Sequence, residues 1–158
     1  EWNVLDIGCG GGANVKRLLK LCPQGKVYGM DLSEESVAFA RRHNAGELDR
    51  RCFIQQGDVC SLPYGDGAFD AVTAFETVYF WSSVSKALAE VFRVIRKGGC
   101  FLISLEASDP ELGKAWTERI KGMTVYGAEE LKQLLSQAGF SDIRVIQKKE
   151  ELHIVAHK

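Results

Sequence analysis

The sequence predicts an α/β protein, a mostly parallel sheet with helices on both faces that closes with an antiparallel hairpin. Three observations carry this prediction. Strand-length apolar runs alternate with helical patterns up to residue 105, and the first run breaks into a loop that is almost all glycine. The last two runs are joined by a charged turn too short for a parallel crossover, so they pair antiparallel.

Val4-Leu5-Asp6-Ile7 is the first strand, and Gly8-Cys9-Gly10-Gly11-Gly12 follows it. Four glycines in five positions exceed the needs of a turn and leave room for a ligand against the backbone, facing the N–H groups at the start of the next helix. Val15, Leu18, Leu19 and Cys22 recur at helical spacing until Pro23 and Gly25 end the helix. Lys26 to Met30 is the second strand and stops at Asp31. Ser33, with Glu34 and Glu35 after it, caps a helix running to about His43. Cys52 to Gln56 forms a third strand ending at Gly57-Asp58, residues 61–67 are turn formers, and Phe69 to Phe75 forms a fourth. Ser82 or Ser83 caps the next helix, whose inward face is Val84, Ala87, Leu88, Val91, Phe92 and Ile95; Lys97-Gly98-Gly99 stops it before the strand Cys100–Leu105. A mixed segment from Glu106 to Met123 precedes a helix with Leu131, Leu134, Leu135 and Ala138 on one side and Gly139 at its end. Ser141–Gln147 and Leu152–His157 are the hairpin strands.

At 158 residues and 46% hydrophobic content, the chain fits one domain with an ordinary core. A formal net charge of −1 provides no basic footprint for nucleic acid. No apolar run approaches the ~20 residues of a membrane span. The five cysteines are scattered without C-x-x-C spacing, which points away from disulfides and zinc and toward reduced thiols in a cytoplasmic protein. His43, His153 and His157 stand singly, so no metal site is expected.

In open parallel sheets, ligands bind beyond the carboxyl ends of the strands where the winding reverses. The glycine loop, Asp31, Asp58 and the segment Phe75 to Trp81 all fall there. Asp31, 19 positions after Gly12, is placed to accept both hydroxyls of a ribose, although a helix-capping acid reads the same way. Asp58 suits an adenine amino group or a plain strand-ending turn. Asp6 is a carboxylate inside a buried strand, costly without partners, and reads as bonding the loop amides or a ligand ammonium.

Taken together, Val4 to Gly12, Asp31, Gly57-Asp58, Phe69-Asp70-Ala71-Val72 and Glu90 to Gly99 resemble the class I S-adenosylmethionine-dependent methyltransferases. The likeness is greatest to the branch holding quinone-biosynthesis and other small-molecule enzymes, and it covers essentially the whole chain. It implies a Rossmann-like three-layer sandwich with a seven-stranded sheet, S-adenosylmethionine as cofactor, S-adenosylhomocysteine as product, and a small-molecule methyl acceptor. By the same resemblance Gly8, Gly10 and Gly12 line the methionine part of the cofactor and Asp31 with Leu32 holds the ribose. Asp58 and Val59 flank the adenine, while Phe75 and Glu76 lie under the reacting end. Glu76 is the nearest candidate for a base, Tyr79, Phe80 and Trp81 are candidates to wall the acceptor pocket, and Trp116 and Tyr126 lie where such enzymes often admit substrate. Such proteins usually carry a helical segment before the first strand, which is absent from this chain, and the protein is expected to be a monomer or homodimer. Two rival expectations stand beside this one. Gly8-x-Gly10-x-x-Ala13 with Asp31 also fits a nicotinamide-dinucleotide oxidoreductase, and a regulatory module that binds cofactor without turnover fits the same loop.

Overall fold

The computed structural model describes residues 1–158. The chain runs β1 (Asn3–Ile7), α1 (Ala13–Leu21), β2 (Lys26–Asp31), α2 (Glu34–His43), β3 (Cys52–Gln56), β4 (Phe69–Phe75), α3 (Val84–Val94), β5 (Ile95–Leu105), α4 (Lys114–Thr117), α5 (Ala128–Gln137), β6 (Ser141–Lys148) and β7 (Glu151–His157). One seven-stranded sheet has the order β3-β2-β1-β4-β5-β7-β6. β1 to β5 pair in parallel, and β7 is antiparallel to both β5 and β6. The winding therefore reverses between β1 and β4, and the ligand crevice belongs beyond their carboxyl ends.

Alternation along each strand sends side chains to two cores. Leu5, Ile7, Met30, Phe101, Ile103, Leu105, Leu152 and Ile154 face one side, where they meet Leu88 and Val91 of α3 and Leu131 and Leu135 of α5. On the other side Val27, Cys52 and Ile54 meet Val15 and Leu19 of α1 and Ala40 of α2. The caps follow sequence chemistry: Ser33 Oγ accepts the Ser36 N–H at 3.2 Å, and Ser83 rather than Ser82 caps α3, accepting the Lys86 N–H at 3.4 Å. The last residue closes the other end of α3, its Lys158 ammonium donating to the Phe92 and Arg93 carbonyls and lying 4.6 Å from the Phe92 ring centroid.

Two boundaries differ from expectation. α3 ends at Val94, and Ile95 already pairs with Phe69 of β4, so Ile95 is a strand residue. Lys97-Gly98-Gly99 lies inside β5 where the register jumps, Cys100 pairing next with Ala71. A Cβ on Gly99 would stand 2.6 Å from the Asp70 carbonyl oxygen, so Gly99 serves the close approach of two strands, while Gly98 supplies a left-handed φ of +77 where the register jumps.

Candidate functional site

β1, β2, β3 and β4 all deliver their carboxyl ends to one cleft of about 680 Å³, lined by Ile7, Gly8, Gly10, Met30, Asp31 and Leu32 on one side. Gly57, Asp58 and Val59 line it from β3, and Glu76, Thr77, Phe80, Trp81 and Ser82 from the loop after β4.

The glycine loop is rigid by construction. Gly8 and Cys9 both donate N–H groups to the Met30 carbonyl (2.7 and 3.0 Å), Gly10 donates to Asp31 Oδ2 (2.9 Å), and Gly12 donates to the Cys9 carbonyl (2.9 Å). These four loop amides are therefore taken up inside the protein, and the Gly11 N–H and the first amides of α1 remain without a protein partner. Gly8 and Gly10 do different work. At Gly8, φ is +68 and an added Cβ would collide with the Thr77 side chain, so this glycine permits the β4 loop to press against the β1 loop. At Gly10, φ is +50 and an added Cβ would meet nothing within 4 Å, so the missing side chain leaves space in the cleft itself. Gly12 lies outside the lining and instead caps α1, with α2 against it.

Asp31 holds the loop and faces the cleft. Its Oδ2 accepts from Gly10, its Oδ1 accepts the Ser33 N–H at 2.9 Å, and each oxygen keeps a further lone pair for a ligand hydroxyl. Leu32 beside it is 70% exposed at the mouth, and Gln56 secures its carbonyl at 2.9 Å. Asp58 Oδ1 accepts the Cys60 N–H at 2.8 Å, capping the 3-10 turn Val59–Ser61 that carries Val59 into the lining.

Several residues expected at the site stand back from it. Asp6 is 1% exposed and not among the lining residues; it accepts from the Thr73 hydroxyl at 2.7 Å, not from the loop amides, and its Oδ2 has no partner. Burial pushes its carboxyl up to about 7, the Thr73 hydrogen bond opposes this, and the charge of Asp31 adds to it. Phe75, Tyr79 and Trp116 also lie outside the lining: Phe75 is half-buried at the end of β4, Tyr79 is buried, and Trp116 is 53% exposed on a separate segment. Phe80 and Trp81 do line the cleft, Trp81 stacked on Phe101 at 6.5 Å between ring centroids. Both carboxylate oxygens of Glu76 are in use, Oε1 accepting the Glu106 N–H at 2.7 Å and Oε2 the Tyr79 hydroxyl at 3.1 Å. Desolvation raises the Glu76 carboxyl above its ordinary value against these hydrogen bonds. Thr77, Ser82, Ser33 and Met30 line the cleft but were not named individually as site residues from sequence, Ser33 and Ser82 being read there as helix caps. Their only signal was adjacency to strand ends, which cannot tell an inward from an outward side chain.

The histidines lie outside the cleft, and no three His, Cys, Asp or Glu side chains gather as a metal site. All five cysteines are free thiols. No helix is long and apolar enough to cross a membrane.

Comparison with known proteins agrees with this geometry. Residues 5–103 match the family model described as a methyltransferase domain. The chain is similar to a demethylmenaquinone methyltransferase of Symbiobacterium thermophilum, 36% identical over 110 residues, covering 68% of this chain and 43% of that protein. It is also similar to a fatty-acid O-methyltransferase of Mycolicibacterium smegmatis, 38% identical over 100 residues, covering 63% of this chain and 35% of the relative. The chain thus spans less than half the length of these two relatives. Among solved structures, a SAM dependent methyltransferase from Aquifex aeolicus superposes with a TM-score of 0.81 at 26% identity, covering 98% of this chain and 81% of that one.

Proposed function

Since the chain belongs to the methyltransferase domain family, we propose that it transfers a methyl group from S-adenosylmethionine to a small, largely apolar acceptor, with S-adenosylhomocysteine as product. The observation that carries this reading is Gly10: its left-handed backbone and absent Cβ keep open the floor of a cleft of about 680 Å³ in which Asp31 stands ready for a ribose. That volume lies inside the roughly 300–1,000 Å³ usual for small-molecule sites.

The residues present fit the cofactor. Asp31 would take the ribose hydroxyls, Asp58 and Val59 the adenine edge and face, and Gly8 and Gly10 the methionine portion, with Leu32 closing the mouth. The carboxylates of Asp31 and Glu76 give the cleft a negative field suited to a cationic ligand. When bound, S-adenosylmethionine supplies a methyl group already activated on a sulfonium. The chain's own contribution is to position the reactants and to exclude water. Phe80 and Trp81 provide an apolar wall, and Phe80 and Leu32, 51% and 70% exposed, offer an apolar rim to an acceptor. The quinone and fatty-acid chemistry in the relatives' names supports an apolar acceptor. Glu76, each of whose oxygens already accepts one hydrogen bond, serves as a brace of the β4 loop. The same reading takes residues 1–158 as one cofactor-binding domain of a cytoplasmic protein, monomeric or homodimeric, that does not use nucleic acid as its substrate.

Thermal-shift titration tests the cofactor. S-adenosylhomocysteine at 100 times its Kd stabilises the fold by about 2.7 kcal/mol. Stabilisation by NAD and not by S-adenosylhomocysteine overturns the reading. Transfer of labelled methyl to a panel of quinols and fatty acids then tests the acceptor class.

A further inference from the structure

Between β5 and α5 the chain leaves the sheet for an excursion over residues 106–124, and both ends of that excursion are tied to one residue. At its start the Ala107 N–H donates to the Tyr79 hydroxyl at 2.9 Å, while the neighbouring Glu106 N–H donates to Glu76 Oε1 at 2.7 Å. At its far end the Thr124 N–H donates to the Tyr79 carbonyl at 2.8 Å. The Tyr79 hydroxyl in turn donates to Glu76 Oε2 at 3.1 Å, so its one proton and one accepted hydrogen bond are both assigned.

Tyr79 itself is 3% exposed and sits in the 3-10 turn Val78–Phe80. Its neighbours Glu76, Thr77, Phe80, Trp81 and Ser82 line the cleft. Glu76 holds a φ of +54, a left-handed conformation that a non-glycine residue keeps only where its surroundings enforce it. The excursion between the ties has one further side-chain anchor, Ser108, whose hydroxyl donates to the Glu150 carbonyl at 2.7 Å and accepts from Gln147 Nε2 at 3.3 Å. It carries the four-residue helix α4 and an exposed stripe of Leu112, Trp116 and Ile120, held mostly by its own local hydrogen bonds.

We propose that Tyr79 is a positioning residue that joins the cleft wall to residues 106–124, so that a ligand held against Thr77, Phe80 and Trp81 orders the whole excursion. This rests on the reading of the cleft as a cofactor site. A ligand that restrains the turn restrains both ties, and a segment with few other long-range bonds follows its ends. The excursion would then present its apolar stripe in one arrangement only when cofactor is bound.

Hydrogen exchange of the full chain, with and without saturating S-adenosylhomocysteine, tests this. In the wild type the ligand slows exchange across residues 106–124 by about ten-fold, the scale of one hydrogen bond gained. In Tyr79→Phe, which removes the hydroxyl tie to Ala107 and keeps the Thr124 bond to the residue 79 carbonyl, the ligand binds within about three-fold of wild-type affinity and still protects the glycine loop, but its effect on the start of the excursion around Ala107 is lost. Glu76→Gln retains an acceptor for the Glu106 N–H and keeps part of that effect; it also carries the test should Tyr79→Phe not fold. A merely structural tie would speed exchange equally in both states and leave the ligand-dependent difference intact, which would overturn the proposal. Ligand-dependent protection around Ala107 that survives in Tyr79→Phe, or binding to the wild type without protection of residues 106–124, overturns it as well. Failure of S-adenosylhomocysteine to bind the wild type is distinguishable, because it removes the cofactor reading from which the proposal starts.

Discussion

The loop after β1 and the loop after β4 meet across the same cleft, yet they are built on opposite principles. The β1 loop is shaped by its own backbone: Gly8 and Gly10 adopt left-handed φ, and the nearby Met30 carbonyl and Asp31 carboxylate collect its amides. The β4 loop is shaped by bonds that reach far along the sequence, through the side chains of Glu76 and Tyr79 to Glu106 and Ala107 and through the Tyr79 carbonyl to Thr124. A wall made of local backbone geometry is hard to perturb except at its glycines. A wall made of long-range ties can respond to what it contacts. The two walls join where Gly8 leaves room for Thr77.

The largest test falls on the first wall. Gly10→Val puts a branched side chain into open cleft space, so the protein should fold while calorimetry with S-adenosylhomocysteine shows at least a 100-fold loss of affinity, about 2.7 kcal/mol or more. Normal affinity in a folded Gly10→Val protein would contradict the cradle.

Asp6 tests what lies behind that wall. Its carboxyl is raised from 3.8 to about 7, so between these values the folded state holds a proton that the unfolded state has released. Stability contributed by this residue is therefore intact below about pH 4, declines as pH rises, and is fully lost above about pH 7. Asp6→Asn removes the titration, and its stability relative to the wild type should grow by a few kcal/mol from pH 4 to pH 7 in denaturant titrations. A constant difference across that range would mean that Asp6 ionises freely.

Gly8→Ala tests the junction. It combines a left-handed strain of about 1–2 kcal/mol with overpacking against Thr77 of about 1–3 kcal/mol, so a loss of about 3 kcal/mol of stability is expected. A loss below about 1 kcal/mol would show that the β4 loop yields freely at this contact. Asp31→Ala should weaken cofactor binding by about 1.5–3 kcal/mol, the scale of hydrogen bonds to a charged group, and unchanged affinity would remove Asp31 from the site. The smallest effect belongs to the second wall. Ser108, 2% exposed, donates to the Glu150 carbonyl at 2.7 Å and pins the excursion to the β6–β7 turn, so Ser108→Ala should cost about 1 kcal/mol in thermal unfolding.

The sequence by itself determined the element order, the antiparallel hairpin and the first wall of the cleft, because each of these is written in neighbouring residues. Strand runs and helical periods fix the alternation, a short turn forbids a crossover, and glycines mark where the backbone must bend or approach closely. Asp31 was legible for the same reason, since it ends a strand. Only the tertiary structure decided that Asp6 turns to Thr73, that Lys97-Gly98-Gly99 lies within a strand, and that Tyr79 is a tie and not a pocket wall. In each of these the deciding partner lies far along the chain: Asp6 with Thr73, Gly99 against Asp70, Tyr79 with Thr124. Local pattern records what a residue is. The direction of its side chain, and so whether it meets a ligand or another strand, is set only when the sheet brings distant segments together.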